Sequence, residues 1–412
     1  MNSLARVFLA TVSFGSLPDL LQGQATWIVD VLGRPGVNFS SIQAALDAFF
    51  VNDGDTLVVR GGTYKPFVAS KGVRIVAQDL VIIDAAPSLP QGPAIVITSV
   101  PQGRCIVLQG LSARVLAAGL APFVSIKSCP GSVVIERMSG MVVQSGNGWL
   151  NRSMLIRQST YVAVSDSDLS SGGNGLEVSD SRLSFRYSTI SCSVPTNLGT
   201  PGWPAMSLSN ARVEIVSSTL TGAPGWLSHP TYGTQPAQPA IRALGLSSIR
   251  TGSLTELNAG ALDPSLPGFA APAIFGPASV GLYIDPGTIF GSLGPPIAGG
   301  ATVTSVRASE VFIGDSTSNS VSFCVVARPL IPSVMLIGPL FPGSLGGAIS
   351  VIDPLYAAAF PLAIGINGIG RLSLRLPDPI VGYGALAVQT IDLSATTLEQ
   401  LLSFACPFVL AR

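Results

Sequence analysis

The feature that most constrains this chain is that its middle aligns on itself. Residues 177–190, EVSDSRLSFRYSTI, superpose without a gap on residues 207–220, SLSNARVEIVSSTL. Ser179 falls on Ser209, Asp180 on Asn210, Arg182 on Arg212 and Leu183 on Val213; Phe185 falls on Ile215, and Ser188-Thr189 on Ser218-Thr219. Looser copies precede them at Val133-Val-Ile-Glu-Arg-Met-Ser and Val162-Ala-Val-Ser-Asp-Ser-Asp-Leu. Each unit alternates apolar and polar residues, the pattern of a half-buried strand, and then turns. Equivalent apolar positions fall at Ile106, Val133, Val162, Leu183 and Val213, spaced by 27, 29, 21 and 30 residues. A leucine-rich repeat would hold a steadier period with an Asn at a fixed place. A variable period of this size, read as two short strands per coil, predicts a parallel β-helix. A sandwich of short hairpins is the competing arrangement.

In such a stack each coil lies about 4.8 Å above the last, so like side chains form ladders. Inward Val, Ile and Leu fill a narrow core, outward Ser, Thr, Asp and Arg face water, and Asp180 and Asn210 fall at a turn as part of a polar ladder. Roughly seven coils between 56 and 255 would rise about 34 Å. The length variation falls in Gly/Pro loops such as 195–204 and 222–239. Both ends of the stack need caps, because an open end exposes unpaired strand edges.

Residues Phe39 to Tyr64, FSSIQAALDAFFVNDGDTLVVRGGTY, supply the first cap. Ile42, Ala45, Leu46 and Phe49 recur at helical spacing, with Ser40 or Ser41 placed to cap the helix start, so a helix is expected over 40–50. The turn Asp53-Gly54-Asp55, a strand at Leu57-Val58-Val59 and the turn Gly61-Gly62 follow. This opening resembles that of right-handed parallel β-helix proteins of the pectin lyase-like superfamily. The resemblance rests on Phe39-Ser-Ser-Ile-Gln-Ala-Ala-Leu-Asp-Ala, Gly54-Asp55-Thr56-Leu57-Val58-Val59 and Gly62-Thr63-Tyr64, and it covers about residues 27–255. It implies a fold and leaves the activity open, since that superfamily holds methylesterases, polysaccharide lyases and uncharacterised exported bacterial proteins. The motifs that the resemblance implies for its enzymes are missing here. The chain has no Asp-Asp pair, no Gly-His-Gly and no Gly-x-x-Asp-Phe-Ile-Phe-Gly segment, and its one histidine, His229, lies in a Pro-rich loop.

The expected fold class is all-β: a right-handed parallel β-helix with an N-terminal capping helix, followed by a small antiparallel β-sandwich. The expected divisions are a signal peptide at 1–25, the β-helix at 26–256, an apolar Gly/Pro-rich connector at 257–300 with one or two strands (Gly281 to Ile284, Thr288 to Phe290), and the C-terminal sandwich at 301–412, with a helical turn at 395–403. The signal rests on Arg6, the apolar run Val7 to Phe14 and the small residues Gly23-Gln24-Ala25. The uncharged stretches 264–284 and 329–352 carry several prolines each, which argues against a membrane-spanning helix in the mature chain. Frequent breakers support many short strands: 45 glycines and 32 prolines make up about 19% of the chain against about 12% on average.

Charged residues are 11% of the chain, with 22 basic and 22 acidic residues, so the formal net charge is zero. A nucleic-acid partner, which needs a basic surface to neutralise phosphates, is thereby disfavoured. Five cysteines, Cys105, Cys129, Cys192, Cys324 and Cys406, leave at least one unpaired. Pairs Cys105 with Cys129 and Cys324 with Cys406 are compatible with an oxidising compartment, although spacing alone establishes neither.

Two candidate sites emerge. On stacked coils Asp168, Glu177 and Asp180, with Asp166 and Glu214 nearby, offer carboxylate oxygens of the kind calcium takes, and Arg182 or Arg186 stands near as a base. The competing view is that these acids are solvated and paired with Arg182, Arg186 and Arg212. Trp149, Trp203, Trp226 and Tyr232 lie in the long loops, which fall on one side of a solenoid and offer a sugar-stacking groove; loop anchoring by buried rings is the alternative. The expected function is that of a non-catalytic exported protein, secreted or at the cell surface, binding polysaccharide or cell-surface glycan and needing no cofactor. The alternative is a polysaccharide lyase or esterase using calcium at the Asp168/Glu177/Asp180 cluster.

Overall fold

The computed structural model describes residues 25–85, 92–116, 121–143, 152–169, 175–192, 202–229, 233–261, 270–292, 294–306, 310–316, 320–327, 333–345, 348–352, 358–364, 369–375, 386–392 and 406–408. The expected signal peptide and the helical turn at 395–403 lie outside them. The chain is a parallel β-helix followed by antiparallel sheets, and the one α-helix among the described residues is Ile42–Asp47.

Three ladders of parallel strands form the coils. The first runs through Thr26–Val29, Thr56–Val59, Arg74–Asp84, Cys105–Leu116, Ser132–Glu136, Tyr161–Ser165, Arg182–Arg186, Arg212–Val216, Ser248–Thr251, Gly281–Ile284 and Thr302–Ser305. The second runs beside it through shorter strands such as Ser139–Val143, Asp168–Leu169, Thr189–Ser191 and Thr219–Thr221. The third, on another face, runs from Phe67–Ala69 to Ile297–Ala298. A coil therefore holds three strands where the repeat suggested two. The short second strand hides in the Ser-Thr-Ile and Ser-Thr-Leu motifs, too brief to show alternation.

The register matches the self-alignment residue for residue. Ile106 pairs with Val133, Val133 with Val162, Val162 with Leu183 and Leu183 with Val213, all in parallel. Alternation drives this, since a slip by one residue would turn every inward Val, Ile and Leu to the outside. One contiguous apolar core extends from Val29 to Ile284.

Sharp corners between the strands require left-handed backbone. Gln158, Asp180 and Asn210 adopt it at one corner and Asp166, Tyr187 and Ser217 at the next. Asn210 Nδ2 donates to Asp180 Oδ1 at 3.3 Å, the polar ladder expected there. A buried serine follows the second corner in each of three successive coils. The Ser167, Ser188 and Ser218 hydroxyls accept from the backbone N–H of Met138, Ser167 and Ser188 at 3.1, 3.0 and 3.2 Å. Each donates to the carbonyl two residues earlier in its own coil, at 2.8, 2.6 and 2.8 Å. The hydroxyls thus satisfy backbone groups that the turns leave without a strand partner.

At the N-terminal end, Ser41 caps the helix by accepting from Ala44 N at 3.1 Å, and Ile42, Ala45 and Leu46 are buried. Phe49 departs from the expected stripe. The helix ends at Asp47 and Ala48 is extended, so Phe49 leaves the helical face and is 91% exposed. Asp55 of the Gly-Asp-Thr motif clips the first strand, accepting from Ala25 N at 2.8 Å and from the Trp27 indole at 3.0 Å.

The stretch 257–300 is not a connector. Its strands Ile274–Phe275, Gly281–Ile284, Ile289–Gly291 and Ile297–Ala298 continue all three ladders, and Thr302–Ser305 adds one more rung. Its strands are only two to four residues long, so the Gly and Pro residues between them dominate its composition. Eleven rungs of the first ladder rise about 48 Å at about 4.8 Å each.

The antiparallel domain begins after Val306. Glu310–Ser316, Ser320–Val326 and Ile369–Arg375 form one sheet, and Ser333–Leu345 pairs with Ala348–Ile352, Ala358–Leu362 and Leu386–Asp392 in another. Val311, Val321, Phe323 and Val325 of the first sheet share a core with Met335, Ile337, Leu386 and Val388 of the second, which makes the pair a sandwich.

Candidate functional site

The outward positions of the first ladder decide what its surface can do. Val107, Val134, Ala163, Ser184, Glu214 and Arg250 lie in one cross-coil register and alternate with core residues. They point away from the coil interior, yet none is more than 6% exposed. The C-terminal sandwich covers them. Its strand Ser333–Leu345 packs on Ser132–Glu136, and Arg186 Nη2 donates to Val311 O at 2.8 Å. Ser253 donates from both its backbone N–H and its hydroxyl to the Glu310 carboxylate, and Val306, just before the sandwich, packs on Val216 and Tyr283. The seam is apolar toward Val107 and Val134 and ionic toward Glu214 and Arg250, whose charged groups pair at 3.4 Å.

The five proposed catalytic residues do not gather. Asp168 is exposed on the second ladder, paired in register with Ser139 and Thr189. Glu177 lies on the third ladder, held by Arg152 at 3.0 Å and Arg157 at 2.6 Å. Asp180 sits in the corner beside Asn210. Arg182 is half-buried, its pKa lowered first by burial and then by the charge of Arg212. Arg186 is buried under the sandwich. A coil with three faces separates residues that a two-strand coil would bring together. Among the described residues no three His, Cys, Asp or Glu side chains stand close enough to hold a metal ion.

Two acids with shifted protonation stand on the outer wall, Glu136 and the Asp166 expected near the cluster. Gln109 donates to Glu136 Oε2 at 2.6 Å and accepts from Arg74 at 2.8 Å. Burial pushes the Glu136 carboxyl up, with Asp166 adding to the rise and Arg137 opposing it. Partial desolvation also pushes Asp166 up, against Arg137 and Arg186, although much of its side chain is exposed. The two acids stand in adjacent coils, since Glu136 pairs in register with Ser165 and Arg137 N donates to Ser165 O at 3.0 Å. Glu136 occupies the repeat position filled by Ser165, Arg186 and Val216 in later coils, and this break in the pattern was its one visible signal in the sequence.

Among the described residues, parts of the connections between the second and third ladders lie side by side along one edge of the coil. Ala223 N donates to Trp203 O at 3.1 Å and Gly225 N to Ala261 O at 3.0 Å, so loops of three successive coils are knitted side by side. Trp203 is half-buried. The strand Trp226–His229 pairs antiparallel with Gly233–Gln235 in a hairpin. Trp149 and Tyr232 lie outside the described residues, as do the side chains of Trp226 and His229.

The suggested disulfides are not formed. Cys105, Cys129 and Cys324 carry free thiols, and burial pushes the Cys105 thiol up to about 12. Cys105 faces outward in register with Ser132, whereas Cys129 is buried in the coil core, so the coil wall separates them.

No protein-family model and no curated protein matches the chain. Among solved structures it is similar to full-length tailspike protein 2 from Escherichia coli O157:H7 bacteriophage CAB120, at 9% identity and a TM-score of 0.35. That match covers 86% of this chain and 64% of the tailspike, so the chain spans less than two thirds of the tailspike's length. It is also similar to the enzymatically active domain of tailspike protein 2 of bacteriophage CBA120, at 10% identity and a TM-score of 0.28, over 86% of this chain and 72% of that one. Likeness at this level does not extend to activity. No helix among the described residues is long and apolar enough to cross a membrane.

Proposed function

We propose that this chain is an exported, non-catalytic β-helix protein that binds polysaccharide or cell-surface glycan along its loop edge. The observation that carries the reading is the backbone knitting of successive loops, which sets Trp203 beside the hairpin bearing Trp226. A half-buried indole held on a rigid coil offers its exposed carbon face to a sugar ring, while the ring nitrogen is buried within the loops. The arginines around Glu177, Asp30 and Glu214 favour the same view, because they employ these acids in ion pairs.

Glycan-array binding by the full chain, combined with a reducing-end assay on the bound glycans, tests the proposal. Binding without new reducing ends is expected, and Trp203→Ala should weaken it about tenfold, equivalent to about 1.4 kcal/mol. Binding that is indifferent to Trp203 would remove the loop edge from the site. The lyase or esterase reading has one observation in its favour, the raised carboxyls of Glu136 and Asp166 in adjacent coils. Turnover abolished by Glu136→Gln would establish it in place of the binding role.

A further inference from the structure

Glu310 is the one acid of the sandwich set into the ionic end of the seam among the described residues. It is 3% exposed. Its carboxylate accepts both the backbone N–H and the hydroxyl of Ser253, at the turn after the rung Ser248–Thr251. From the coils, Arg186 and Asp285 also act on it, and the buried Glu214–Arg250 pair lies on the same face. From its own domain its cross-strand partner is the uncharged Val326. We propose that Glu310 is a pH-sensitive latch that sets how tightly the C-terminal sandwich closes over the ionic end of the first ladder.

The direction follows from where the proton is held more tightly. Burial pushes the Glu310 carboxyl above its usual 4.5, the two Ser253 hydrogen bonds pull it down, Asp285 pushes it further up and Arg186 opposes; the net shift is upward. The closed seam therefore binds the proton better than the open one. Its stabilisation is full below pH 4.5 and is lost as the pH rises through the elevated value. At the far end of the seam Val107, Val134 and Ala163 do not titrate, and the acid on the strand packed there, Glu136, is likewise raised by burial, so the Glu310→Gln comparison is what isolates Glu310. Opening at the ionic end exposes Ser184, Arg186, Glu214 and Arg250. Seams of mixed polarity between domains are ones across which relative motion is expected.

The test places a reporter under the sandwich in the full chain. Ser184→Cys is alkylated between pH 5 and 8, and its rate is divided by that of Ser209→Cys, an exposed position on the third ladder, to cancel thiol ionisation. Peptide mass spectrometry reads each site separately from the native cysteines. The ratio is expected to rise about fivefold or more across that range. In a Glu310→Gln background, a neutral mimic of the protonated acid, the ratio should stay low at every pH. A flat ratio in the parent, or an unchanged rise with Glu310→Gln, overturns the latch. If Glu310→Gln does not fold, Ser253→Ala replaces it. That variant keeps the acid, loses one donor to its charged form and should raise the ratio at pH 8, whereas no change would count against the proposal.

Discussion

Replacing Ser188 by alanine isolates one link of the buried serine ladder. Ser188 is 2% exposed; its hydroxyl accepts from Ser167 N at 3.0 Å and donates to Arg186 O at 2.6 Å. In Ser188→Ala the Arg186 carbonyl keeps a second donor, Asp166 N at 3.2 Å, and the Ser188 amide keeps Ser218 Oγ at 3.2 Å. The Ser167 amide, in contrast, is left buried with no acceptor. An orphaned buried donor costs about 1–3 kcal/mol, and the smaller desolvation demand of alanine returns part of that. A loss of about 1.5–2 kcal/mol is therefore expected for Ser188→Ala. The control is Ser112→Ala, whose hydroxyl meets that of Ser139 at 2.7 Å at the coil surface and whose loss water can make good. That variant should stay within about 0.5 kcal/mol of the parent. Urea unfolding at matched m-values gives the two free energies, and hydrogen exchange at the Ser167 amide reports the break locally. Equal effects from both variants would refute the idea that the hydroxyls replace strand hydrogen bonds at the corner.

Three further outcomes follow from particular contacts. Gly260→Ala should destabilise by about 2–3 kcal/mol in the same urea assay, because an added Cβ overlaps the Ala223 carbonyl oxygen in a packed turn. Asp30 is fully buried, and Arg34 above all holds its carboxyl down at about 2 against an ordinary 3.8. Its contribution is present above about pH 4 and lost as the pH falls toward 2, so acid titration of Asp30→Asn should show a shallower loss there than the parent. Cys105 and Cys129, raised by burial, should resist iodoacetamide at pH 8 in the folded chain and react fully in urea.

Much of this architecture was legible because the β-helix writes its register into the sequence. The ladder from Ile106 to Val213, the Asp180–Asn210 corner, the Ser41 cap and the loop edge all follow from local alternation and turn chemistry, which each coil repeats. The third strand per coil escaped because two or three residues, as in Asp168–Leu169, carry no period. Within 257–300 the strands at Gly281–Ile284 and Ile289–Gly291 were legible, but their place as rungs of the β-helix escaped because strands of two to four residues carry too little alternation to align with earlier coils. The gathering of Asp168, Glu177 and Asp180 failed for the first of these reasons, since a third strand adds a corner between the acids.

By itself, then, the order of residues determined how the chain winds, because inward and outward positions are set within each coil and a shifted rung would expose the core. It did not determine which outward face meets the C-terminal sandwich. That depended on the tertiary structure, in which Glu310 reaches Ser253 and Val311 reaches Arg186 across wide separations in the chain. Fit between two finished surfaces has no periodicity to read, and here it decided which polar residues face solvent and which lie beneath a second domain.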